Sequence, residues 1–121
     1  MLIRRKALEF ILGVSKRIYP NEFGALLRGN SEIIEEILLI PGTTFGKDLA
    51  TIRFDMKPID YSIIGSVHSH PGRNFKPSRA DIRFFGKIGF VHLIVRYPYS
   101  SIEDIAAYNS FGERIELRVT E

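Results

Sequence analysis

The stretch from Ile63 to His70 starts as an unbroken apolar run and ends in His68-Ser69-His70-Pro71, so it reads as a buried strand that delivers polar side chains at its end. A buried strand needs partners beside it and cover above and below, and the rest of the chain supplies both. Leu8, Ile11, Leu12 and Ile18 recur at helical spacing between Arg5 and Tyr19, and Pro20 with Asn21 stops the pattern. A second helix is expected from Ser78, where Ser-Arg-Ala-Asp fits a capping box and Ile82 and Phe85 follow, with Gly86 or Gly89 as its end. Strands are expected at Phe23–Leu27, Ile33–Ile40, Thr51–Asp55 and Phe90–Tyr97. Ile105–Asn109 and Arg114–Val119 form a hairpin in this reading, turning at Ser110-Phe111-Gly112-Glu113. The outcome is an α/β (α+β) fold, a mixed β-sheet flanked by two helices. With 121 residues and no linker or repeat, residues 1–121 are expected to form a single domain.

Composition narrows the chemistry. There is no cysteine, which excludes disulfides, thiolate zinc sites, iron–sulfur clusters and thiol catalysis, so any metal must bind nitrogen and oxygen. Glutamine and tryptophan are absent too, a weak sign of a heat-adapted source. The basic start at Arg4, Arg5 and Lys6 precedes an apolar stretch that Glu9 and Lys16 interrupt, so no signal peptide is read. No apolar run nears the roughly 18 residues that cross a bilayer, and a soluble cytoplasmic protein is the expectation. Seventeen Lys and Arg face fourteen Asp and Glu, and the pI near 9.3 reflects cations scattered among acids, which disfavours nucleic acid as a partner.

Three features could carry chemistry. His68 and His70 alternate on one strand, so both imidazoles point to the same face and can reach one metal ion; the alternative is a polar strand end bonded to backbone and water. Ser78 and Asp81 are spaced as a helix cap, which would also fix them at a helix start facing the preceding loop, where Asp81 could complete a His₂Asp set. Three protein ligands are the pattern of catalytic rather than structural zinc. Glu22 lies between the first helix and first strand and by itself reads as a surface glutamate. His92, inside Phe90-Val91-His92-Leu93-Ile94-Val95, reads as a satisfied core histidine. Arg73, Asn74, Phe75 and Lys76 fit substrate contact or plain loop solvation equally, and Thr51–Asp55 is a candidate edge for β-augmentation.

Taken together, Pro20-Asn21-Glu22-Phe23-Gly24-Ala25-Leu26-Leu27-Arg28-Gly29, then His68-Ser69-His70-Pro71, six residues, and Ser78-Arg79-Ala80-Asp81, resemble the JAMM (MPN+) metalloprotease family, over most of the chain. The resemblance implies that His68, His70 and Asp81 hold zinc, that Glu22 is the general base for the attacking water, and that Ser78 hydrogen-bonds the oxyanion. It implies a fold similar to cytidine deaminases, whose paired zinc cysteines cannot exist here. It further implies cleavage of isopeptide bonds behind a ubiquitin-like C-terminal tail, with ubiquitin-like modifiers and their conjugates as partners, no membrane partner, and a homodimer left open. Only 45 residues separate Glu22 from His68, which leaves no room for the two insertions that eukaryotic relatives use on ubiquitin chains. Compact archaeal and bacterial members are the better match. Rival readings are a peptidase that trims a sulfur-carrier protein's C-terminus, a metal-free scaffold and a nucleic-acid-associated protein.

Overall fold

The computed structural model describes residues 1–39 and 62–121, so the expected strand at Thr51–Asp55 lies outside the described residues. In chain order these residues form β1 (Leu2–Arg4), α1 (Arg5–Ile18), β2 (Gly24–Gly29), β3 (Ile33–Leu38), β4 (Ile63–His70), α2 (Arg79–Phe85), β5 (Val91–Arg96), β6 (Ile105–Tyr108), β7 (Arg114–Ile115) and β8 (Arg118–Thr120). The strands join in the order β7-β6-β5-β4-β2-β3-β1-β8. β4 runs antiparallel to β2 and parallel to β5, which makes the sheet mixed and puts β4 in its middle, as its apolar run requires.

The two faces of the sheet are covered by different helices. Ala7, Leu8, Ile11 and Leu12 of α1 pack with Ala25, Leu27, Val67, Leu93 and Val95 on one face, the helical period meeting alternate strand positions. On the opposite face Phe84 and Phe85 of α2 pack with Leu26, Ile94 and Ala106. Register assigns the histidines to that second face, since His68 lies beside Ile94 and Ser66 beside Leu26. Gly65 and Gly89 let β4 and β5 meet: a Cβ on Gly65 would fall 1.6 Å from the Val91 carbonyl oxygen, and one on Gly89 2.0 Å from that of Ile64. Gly89 also turns the chain at φ +65°, a conformation open to glycine at little cost.

One element is new and one expectation needs correction. Leu2–Arg4 forms β1, which the sequence did not announce, because the strand runs into α1 with no breaker between them and no side-chain cap on the helix. The expected strand Arg114–Val119 is divided: β7 pairs with β6, while β8 pairs in parallel with β1 at the far end of the sheet. The three peptide steps from Ile115 to Arg118 can span only about 11 Å. The sheet must therefore curl until its two ends nearly meet, and Ile115, Leu117 and Val119 pack against the core inside the curl. The second helix ends at Gly86, the earlier of the two glycines expected to stop it.

Candidate metal centre

The centre is assembled from the end of β4 and the start of α2. His68 is almost wholly buried, and its Nε2 lies 3.1 Å from Nε2 of His70 and 3.4 Å from Oδ1 of Asp81; His70 Nε2 lies 3.8 Å from Asp81 Oδ2. Three ligands on a tetrahedral zinc at 2.0–2.1 Å stand roughly 3.3 Å apart, so these separations fit one ion held by His68, His70 and Asp81. The donors fit as well: two imidazoles and a carboxylate, without sulfur, are a zinc set. Ser78 caps α2, its Oγ accepting the Asp81 N–H at 3.0 Å while its own N–H donates to Asp81 Oδ2 at 2.8 Å. That reciprocal box holds one carboxylate oxygen and turns the other toward His68.

Neighbouring groups fix the tautomer and the charge. His70 Nδ1 lies 2.9 Å from the Asn74 carbonyl oxygen, which can only accept, so Nδ1 carries the proton and Nε2 keeps its lone pair for a metal. Burial disfavours a charged His70, yet Asp81, the Asn74 carbonyl and Glu22 outweigh it and raise its pKa. Burial pushes the Asp81 carboxyl up, but His68 and His70 hold it well below the usual carboxylate range. The pocket thus favours positive charge among its ligands, the condition a cation would meet.

Ser69, between the two histidines, explains how Glu22 comes near. Its N–H donates to the Phe23 carbonyl at 2.9 Å and its Oγ accepts the Phe23 N–H at 2.8 Å. Gly24 lies opposite His68 in the antiparallel β2–β4 pair, so continuing that register by two places sets half-buried Glu22 across from His70 on the same face. Replacing Ser69 by Ala strips a buried N–H of its partner, at about 1–3 kcal/mol. We expect a melting temperature lower by several degrees with zinc content unchanged; an unchanged melting curve would deny the bond this role.

Tyr99 belongs to the site although no spacing in the sequence marks it. Its hydroxyl donates to the His70 carbonyl at 2.7 Å, and its backbone sits at φ +60°, uncommon for an aromatic residue and tolerated where the surroundings over-determine it. Burial, with Tyr19, Glu22 and Tyr97 nearby, pushes its pKa up to about 12, so it remains a donor at any ordinary pH.

The remaining candidates separate. His92 is fully buried, stacked on Phe85 with ring centroids 4.3 Å apart and bonded through Nδ1 to Ser66 Oγ at 2.8 Å. It is a core histidine, as expected, but it is satisfied on one side only, because Nε2 has the Phe85 carbonyl nearby without a hydrogen bond of good geometry. Burial, helped by His68, lowers its pKa to about 4, so it stays neutral. The Arg96 and Arg114 guanidinium carbons lie 4.3 and 4.9 Å from the centre of the Phe75 ring, and Asn74 Oδ1 accepts the Lys76 N–H, which makes both Phe75 and Asn74 organisers of the loop.

The family model describing prokaryotic homologs of the JAB domain matches residues 5–109. The chain belongs to the JAB/JAMM family. A probable metalloprotease of Haloferax volcanii is 37% identical over 129 residues, spanning 98% of this chain and 79% of that protein. The crystal structure of a JAB1/MPN domain protein from Archaeoglobus fulgidus is similar at 36% identity and a TM-score of 0.77, with all of both chains covered. A structure described as a JAMM metalloprotease-like zinc site in the proteasome and signalosome matches at 34% identity and a TM-score of 0.79, covering 100% of this chain and 98% of the other. This JAB/JAMM chain therefore carries a metalloprotease-like fold with a His-His-Asp group able to hold a metal ion.

Proposed function

We propose that the protein is a zinc-dependent isopeptidase that hydrolyses the bond between the C-terminus of a ubiquitin-like modifier and a lysine amine, with such modifiers and their conjugates as its cytoplasmic partners. The observation that carries this reading is a second carboxylate, Glu22, near enough for its charge to act on His70 and outside the three-ligand group. A scaffold has no need of it; a hydrolase does. Zinc, when held, supplies Lewis-acid polarisation of the scissile carbonyl and a lowered pKa for water.

The chain's own residues divide the remaining work. Glu22 accepts a proton from the attacking water and returns it to the departing amine, so the carboxylate ends as it began. Ser78, which accepts the Asp81 N–H, still has its hydroxyl proton to donate to the oxygen that gains charge. Asp81 lowers the net positive charge of the site, while Asn74 and Tyr99 steady His70 from the loop and from just beyond the adjoining end of β5.

The rival that trims the C-terminus of a sulfur-carrier protein would use the same groups on a different bond. We test the two with a Gly-Gly isopeptide on a lysine side chain and the same Gly-Gly sequence extended by an ordinary peptide bond. Faster cleavage of the isopeptide is expected. Preference for the linear peptide would favour trimming, and failure on both with zinc bound would favour a scaffold.

A further inference from the structure

Several arginines of the described residues are tied to carboxylates. Arg4 reaches Glu35, Arg5 reaches Glu121, Arg28 reaches Glu36 and Arg96 reaches Asp104, each within 3.2 Å. Five of the 17 Lys and Arg lie between residues 71 and 90, and the one acid there is Asp81, already engaged in the metal centre. Among the described residues no carboxylate pairs with Arg73, Lys76, Arg79 or Arg83, and all four are exposed. Unpaired cations on one side of a site project an attractive field for anions.

Beside them is an apolar patch that the fold does not cover. Phe111 is 81% exposed at the tip of the β6–β7 turn, and Phe90 and Ile82 are exposed at 44% and 38%. They adjoin one another: a Cβ on Gly112 would lie 3.0 Å from Ile82 Cδ1, and Ser110 Oγ donates to the Gly89 carbonyl at 2.9 Å. Arg79 and Arg83 flank Ile82 on the helix. Ile82 is about one turn, roughly 6 Å, from Ser78, so a partner seated here has its chain within reach of the metal centre.

Resting on the isopeptidase reading, we propose that this α2 face docks the folded body of the protein substrate through carboxylates set around an exposed apolar side chain. Charge complementarity selects the occupant. A nucleic acid would use the arginines and leave Phe111 and Ile82 in water, while a second copy related by two-fold symmetry would bring the same cations against each other.

The probe is an acidic ubiquitin-like β-grasp protein whose C-terminal Gly-Gly is joined to a fluorescent lysine, used as such and with its surface carboxylates amidated. Anisotropy should show binding of the acidic form, weakened about tenfold by Arg79→Glu with Arg83→Glu and also by Phe111→Ser, with the arginine effect shrinking in about 0.5 M salt. The kcat/KM ratio of this conjugate to the short Gly-Gly isopeptide should fall in parallel. Equal binding of the amidated form would overturn the proposal. So would tighter binding of DNA that ignores Phe111→Ser, or a dimer in sedimentation that Phe111→Ser dissolves. The short isopeptide keeps the two readings apart, because losing its hydrolysis indicts the proposed chemistry, whereas losing the ratio indicts the docking face alone.

Discussion

Glu22→Gln should leave a folded protein that still carries about one zinc per chain and hydrolyses its substrate at least 10²-fold to 10⁴-fold more slowly, the range that a positioned general base contributes. The amide matches the carboxylate in shape but cannot accept a proton from water. Glu22 is outside the His68, His70 and Asp81 group, so the metal has no reason to leave. His70→Ala should behave in the opposite way: the imidazole whose tautomer is set by the Asn74 carbonyl is gone, two ligands remain, and zinc content itself should drop. A chelator should mimic the second variant and not the first. Metal analysis beside a single-turnover rate separates them, and wild-type turnover in Glu22→Gln would remove Glu22 from the role of base.

Ser78→Ala should split rate from stability. As a cap, the hydroxyl accepts one N–H, that of Asp81, and losing a cap costs about 1 kcal/mol. As an oxyanion donor, its loss should cost roughly 10²-fold to 10³-fold in kcat, about 3–4 kcal/mol. The variant should therefore melt only a few degrees lower, keep its zinc, bind substrate almost normally and turn over very slowly. Near-normal kcat with the same modest melting shift would reduce Ser78 to a cap. Ser78→Thr, which keeps both the acceptor and the proton, should recover much of the rate.

Much of the fold was legible because it depends on local patterning. The period of α1, the capping box of α2 and the run of β4 come from spacing alone, and each is found within a residue or two of its expected place. The candidate metal group was legible in part: alternate residues of one strand share a face and a cap residue has a known direction, so His68, His70 and Asp81 could be brought together on paper, while their assignment as zinc ligands came from the family resemblance. Tyr99 was not legible, since its value lies in one hydrogen bond to a carbonyl 29 positions away. The break between β7 and β8 was hidden too, because an apolar alternation reads alike whether the next residues pair with β6 or with the opposite end of the sheet.

From the sequence alone, then, come the elements and the chemical types that one strand end and one helix start can offer: two imidazoles, a carboxylate and a hydroxyl, with no thiolate. Which of them meet was decided by the tertiary structure. Pairing of β2 with β4 carries Glu22 to His70 through the Ser69–Phe23 bonds, and packing of Phe84 and Phe85 on the sheet carries Asp81 to both histidines. The physical reason is that spacing sets directions within one element, whereas distances between elements depend on register and on which apolar faces bury each other.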